Sequence, residues 1–202
     1  MNPLKSVPGT IASGFILAII ILVATGASNP GALAIEVWFH VIAGVIWIGL
    51  LYYFNFVQVP GVGAALADTD GPGPAAINKY VAPRALFWFR WAAVATWLTG
   101  LGALQNLPGV PEGSSGIHLA FTFADNFQVI GLGAWLGTIM LINVWVFIWP
   151  NQKKILGIVD ASAEQIAGAK VIALMASRTN TVLSIPMLMT MVGYGHGLTF
   201  SF

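Results

Sequence analysis

Three histidines and one glutamate carry most of the chemistry open to this chain. His40 sits in the long apolar stretch from Val37 to Gln58, four residues past Glu36. His196 closes the last apolar stretch, and His118 lies in a polar segment between two others. Neutral imidazole is a proton acceptor or, through the ring nitrogen that lacks hydrogen, a metal ligand. The sequence holds no cysteine, which excludes disulfides, iron–sulfur clusters, thiolate zinc sites and covalently attached c-type haem. A histidine inside an apolar span is costly and needs a partner or a task.

The elements that must position these side chains are membrane helices. Of 202 residues, 57% are hydrophobic and 7% charged, whereas soluble domains carry about 25% charged residues. The chain therefore reads as a single all-α integral membrane domain, residues 1–202, with five transmembrane helices over about 10–28, 33–58, 86–107, 126–149 and 179–200. Asn29-Pro30-Gly31 is expected to turn the chain between the first two. The second is expected to stop at Val59-Pro60-Gly61 and the fourth at Trp149-Pro150-Asn151, because proline breaks helices. Asp125 is placed to cap the start of the fourth. Ala163 to Arg178 has apolar spacing of helical period and reads as one interfacial helix leading into the fifth span, where Pro186 marks a kink. Polar residues inside spans, among them Asn55, Thr96, Thr99, Asn143 and Asn180, are expected to make interhelical hydrogen bonds.

The charges give this bundle a direction. With the N-terminus cytoplasmic and the C-terminus periplasmic, all eight Lys and Arg residues fall on the cytoplasmic side, against four acids. The outer side carries only Glu36, Glu112 and Asp125. This is the positive-inside pattern, and it places the chain in a bacterial inner membrane. All three histidines then gather at the outer side. His40 and His196 on two facing helices are the arrangement that holds a b-type haem by its axial positions. Trp47 and Tyr194 are expected to line that cofactor. Two other readings of the same residues stay open. His40, His118 and His196 would also suit zinc or copper; or His40 only hydrogen-bonds a neighbouring helix, His196 is interfacial, and the glycines serve close packing.

Four segments resemble the bacterial membrane-bound urate oxidase family. Trp38 to Phe54 (WFHVIAGVIWIGLLYYF) is similar to that family's first histidine-bearing helix, and Phe87 to Gly100 to its tryptophan-rich helix. Gly133 to Lys154 (GAWLGTIMLINVWVFIWPNQKK) and Arg178 to His196 (RTNTVLSIPMLMTMVGYGH) resemble two later segments. The resemblance implies a helical redox domain in the membrane that passes electrons toward a c-type cytochrome, with His40 and His196 as the positions carried over. The chain reads as a shortened relative, without the family's extra helices and cytochrome c domain. A polar cluster of the family is replaced here by Arg178-Thr179-Asn180-Thr181 and a glutamate by Ala92, which counts against urate chemistry.

Three functions follow. The first is a haem b redox protein exchanging electrons with a c-type cytochrome or a larger membrane complex. The second is a cofactor-free accessory subunit of a respiratory or photosynthetic complex, packed against other membrane subunits. The third is a urate oxidase. Membrane lipid surrounds the chain in each, and nothing in it suits nucleic acid.

Overall fold

A computed structural model describes residues 2–27 and 30–200, and the described residues form helices and no strand. Asn29 of the expected turn lies outside them. The helices are α1 (Val7–Ala24), α2 (Ala32–Ala67), α3 (Ala82–Gln105), α4 (Gly116–Phe121), α5 (Gln128–Ile155) and α6 (Ala163–Tyr194). By length and composition α1, α2, α5 and α6 can each cross a membrane. α3 carries Arg84 and Arg90 and is less apolar, but it packs along α2.

Local chemistry sets the starts of these helices. Ser6 accepts the Gly9 amide at the head of α1, with Pro8 in the first turn. Ser162 and Gln165 form a reciprocal capping box at the head of α6. Asp125 does not cap α5, which begins only at Gln128; the carboxylate instead reaches the Gln128 side chain at 3.5 Å.

Two of the expected stops are absent. α2 continues through Pro60 to Ala67, and α5 through Pro150 to Ile155. In both, a π turn precedes the proline: Phe54–Gln58 before Pro60, and Val144–Ile148 before Pro150. The widened turn lets the ring into the helix without a break. The expected interfacial helix is likewise part of something longer. Ala163 to Tyr194 is one helix of 32 residues, about 48 Å long, so it merges with the fifth span and ends before His196. Its exposed apolar residues run from Val171 to Val192. That is about 32 Å of helix, close to the roughly 30 Å of a bilayer's hydrocarbon core.

The core lies between α2, α3, α5 and α6. Trp47, Leu51 and Phe54 of α2 meet Phe89 and Ala93 of α3, Met140 and Val144 of α5, and Met187 of α6. Phe54 and Phe89 meet edge to face with centroids 5.5 Å apart. A second cluster, Leu104, Ala120, Phe127, Ile130 and Ala134, closes the end near α4, with Tyr194 packed on it. α1 contributes no buried residue. It touches α2 through Phe15, whose ring lies 5.7 Å from Trp38 and 6.1 Å from Phe39.

Polar pairs fix how the helices slide past each other. Tyr52 pairs with Ser184 at 3.0 Å and Asn55 with Ser177 at 2.8 Å, so α2 and α6 run antiparallel. Between α5 and α6, Asn143 donates to Asn180 Oδ1 and to the Ala176 carbonyl, both at 2.8 Å, while Asn180 donates to the Met140 carbonyl at 3.0 Å. The Trp97 indole joins α3 to Thr138 of α5 at 2.9 Å. These are the interhelical bonds expected of Asn55, Asn143 and Asn180; a buried amide finds no water in hydrocarbon, so protein must satisfy it. Thr96 and Thr99, expected to do the same, instead bond carbonyls one turn back in α3, because a short hydroxyl reaches its own helix first.

Candidate functional site

Glu36 and His40 stand one turn apart on α2, and α3 is shaped to receive both. His40 Nδ1 lies 2.8 Å from the Thr96 carbonyl of α3. A carbonyl oxygen only accepts, so Nδ1 carries the hydrogen and Nε2 is left with its lone pair. The half-buried ring rests on Gly100, where an added Cβ would come within 3.0 Å of Cε1 and 3.1 Å of Nδ1. One turn up, Glu36 Oε2 accepts from Asn106 Nδ2 at 2.9 Å. Its other oxygen lies over Gly102, where a Cβ would be 2.7 Å away. Two glycines on α3 thus clear space for an acid and an imidazole from α2.

His196 lies just past the end of α6, exposed, in the turn that follows Tyr194. Its Nδ1 is 2.8 Å from the Val192 carbonyl, which again places the hydrogen on Nδ1 and leaves Nε2 bare. The register of the bundle puts the two histidines toward the same end: from the Tyr52–Ser184 pair, His40 is twelve residues back along α2, about 18 Å, and Tyr194 is ten residues onward along antiparallel α6, about 15 Å, with His196 in the turn beyond it.

The other expected site residues are placed apart. His118 is exposed on α4, where Ser115 caps its backbone amide at 3.3 Å. Among the described residues no three His, Cys, Asp or Glu side chains gather as a metal site, so His40, His118 and His196 do not form one. Trp47 is buried in the central cluster, and its indole nitrogen has no hydrogen-bond partner. Tyr194 belongs to the second cluster, beside α4. Met191 packs against both clusters and is what connects them.

Four contributors escaped the sequence reading: the Thr96 carbonyl, Gly100, Gly102 and Asn106. A backbone carbonyl leaves no trace in residue type. The glycines did leave one, since Gly100 and Gly102 lie in a helix where glycine costs up to about 1 kcal/mol relative to alanine; a close approach from another element repays that cost.

Residues 115–202 match the family model described as urate oxidase N-terminal. The match takes in α4, α5, α6 and His196, and with them the segments Gly133 to Lys154 and Arg178 to His196. The segments around His40 and Arg90 lie outside it. Neither a curated protein nor a solved structure matches the chain. From Ser115 onward, then, this helical chain, with its four helices long and apolar enough to cross a membrane, is similar to the urate oxidase N-terminal family.

Proposed function

We infer that the chain is a membrane redox protein that holds a b-type haem between His40 and His196 and exchanges electrons with a c-type cytochrome or a larger membrane complex. One observation carries the reading. Both imidazoles give their Nδ1 hydrogen to a backbone carbonyl, at 2.8 Å in each case, and keep Nε2 bare toward the same end of the bundle. A hydrogen bond of this kind from the far ring nitrogen is what orients a metal-bound histidine and raises its basicity. When bound, the haem would supply one-electron chemistry.

The chain's own residues would do the rest. Thr96 and Gly100 hold the His40 ring in place. Gly195 and Gly197 flank His196 and leave open space, since a Cβ on Gly197 would meet nothing within 4 Å. Asn106 supplies a neutral donor near Glu36, where no Lys or Arg is nearby in sequence. α3 completes a five-helix crossing in this reading, with the cations at the cytoplasmic face of a bacterial inner membrane and the histidines at the opposite face.

The test is the absorption spectrum of the purified protein, oxidised and reduced. A Soret band with resolved α and β bands on reduction is the expected result, and His196→Ala should abolish it. His196 is exposed, so its truncation leaves the fold intact and makes it a cleaner probe than His40→Ala. A chain that purifies without any Soret band refutes the haem and leaves an accessory subunit. A Soret band that survives both substitutions refutes the ligands. Reduction of the band by urate would extend the reading to urate oxidation.

A further inference from the structure

α3 and α5 run antiparallel along a seam of aromatic residues. The Trp97 indole meets Thr138, and Trp91 meets Trp145 edge to face at 5.4 Å. One turn past Trp145, the Arg90 guanidinium lies 3.8 Å from the centre of the Trp149 ring. Phe87, on the turn of α3 before Arg90, faces the same guanidinium at 5.4 Å. Ring faces attract the charge but offer no oxygen to its five N–H groups. Among the described residues no carboxylate pairs with Arg90 and no oxygen accepts from it. Lys153 stands four residues past Trp149 on the same regular helix, about 6 Å further along and on the same face. It too has no acid partner among the described residues. Two cations therefore share one seam without a counter-charge. Phe87 and Trp88, 47% and 49% exposed, lie between Arg90 and the start of α3. Arg90 is thus set inside the apolar belt, not at its rim, and a charge placed there needs a partner.

We propose that Arg90 and Lys153 bind the phosphate of an anionic phospholipid at this seam. Three features select the ligand. The first is donor chemistry. A guanidinium presents paired N–H groups that match two phosphate oxygens, and a lysine adds a point charge beside them. The second is depth. A free anion in water would have to cross the apolar surface of Phe87 and Trp88, whereas a lipid carries its phosphate there on an apolar body. The third is net charge. A zwitterionic head brings an ammonium for which the seam has no use: no acid stands there, and the Trp149 face that could take it already takes Arg90. An anionic head brings the counter-charge that the two cations lack.

The proposal stands apart from the haem reading. Arg90 lies six residues, about 9 Å, along α3 from the Thr96 carbonyl that holds His40, and the readout needs no cofactor. The purified full chain in an uncharged detergent is mixed with dioctanoyl phosphatidylglycerol or dioctanoyl phosphatidylcholine, and bound lipid is counted by native mass spectrometry. Phosphatidylglycerol should bind about tenfold tighter, the worth of hydrogen bonds to a charged group. Arg90→Gln should remove that preference. Lys153→Gln should cut it about fivefold, as expected of one lysine beside an anionic head. Arg84→Gln removes the same charge from an exposed arginine bonded to the Tyr80 carbonyl, and should leave the preference unchanged. Circular dichroism checks that each variant is folded; should Arg90→Gln fail to fold, Lys153→Gln against Arg84→Gln decides. Equal binding of the two lipids overturns the site. So does an equal loss in Arg84→Gln, which would reduce it to the general attraction of a basic surface. Displacement of phosphatidylglycerol by an equal concentration of glycerol phosphate overturns the lipid and leaves a site for free phosphate.

Discussion

Gly100→Ala tests whether α3 is built around the His40 ring. In a helix interior the change from glycine to alanine is favourable by about 0.5–1 kcal/mol through backbone entropy. Gly49, on the same helix as His40, has nothing within 4 Å of an added Cβ, so Gly49→Ala should show that gain undiminished. At Gly100 the added Cβ would sit 3.0 Å from His40 Cε1 and 3.1 Å from Nδ1. Relief requires the ring to move by a few tenths of an ångström, and the ring is held at 2.8 Å by the Thr96 carbonyl. Turning it off its rotamer costs about 0.5–1.5 kcal/mol, and stretching that hydrogen bond costs up to about 1 kcal/mol more. The gain is thus cancelled or reversed, and the two variants should differ by about 1–2 kcal/mol. For a domain of this size that is roughly 2–8 °C in thermal midpoint. Both variants are melted in the same detergent and followed by circular dichroism. If Gly100→Ala stabilises the protein as much as Gly49→Ala does, the ring is not seated on α3 and the account of the site fails.

Three further outcomes follow from the same contacts. Asn180→Leu removes a fully buried amide with bonds to Asn143 and Met140, and should destabilise by about 1–3 kcal/mol in detergent melts; adding Asn143→Leu should cost less than the sum of the two single changes, because the pair is coupled. Arg90→Lys loses a guanidinium stacked 3.8 Å from the Trp149 ring centroid and should lower the midpoint by the equivalent of about 0.5–1 kcal/mol, whereas Arg84→Lys, bonded only to the Tyr80 carbonyl of its own segment, should change it less. Glu36→Gln keeps the Asn106 contact but removes its charge, and should shift stability by under about 1 kcal/mol, as read by the same melts, since the pair is near the surface.

The apolar membrane-type helices and the placing of His40 and His196 toward one end of them were legible from residue type alone, because hydropathy and charge asymmetry act over whole spans. The three amides that join helices, Asn55, Asn143 and Asn180, were legible because a polar side chain in hydrocarbon must find protein partners; the Trp97 indole was not, and Thr96 and Thr99 satisfy their hydroxyls within α3 instead. Helix ends were not legible. Pro60 and Pro150 read as stops, and Ala163 to Arg178 as a separate helix, since a local rule for proline and a polar stretch say nothing about the neighbours that hold a helix together. His118 read as a third ligand from its side of the membrane only. The structure puts it on its own short helix, because Ser115 and Gly116 start a turn there. Gly100 read only as the end of a tryptophan-rich segment and Gly102 carried no reading; their use appears only when α2 is laid against α3.

The prolines also explain why the two ends of the bundle differ. A proline ring collides with the carbonyl four residues before it. For Pro60 that carbonyl belongs to Phe56, for Pro83 to Lys79 and for Pro150 to Val146. Each of these is the middle residue of a π turn, in Phe54–Gln58, Ile77–Val81 and Val144–Ile148 respectively. All three turns lie toward the end where the cations are, away from His40. A π turn leaves backbone carbonyls poorly paired and moves the following side chains to a new face. The polar side chains gather where this happens: Asn55, inside the first turn, bonds the Leu51 carbonyl at 2.9 Å as well as Ser177, and Asn143 stands directly before the third. That half of the bundle spends these amides on internal bonding, though Gln58 Oε1 in the first turn and Trp145 Nε1 in the third stay buried without a partner among the described residues. The half around His40 has regular helix, glycine gaps and two imidazole nitrogens left free of backbone bonds.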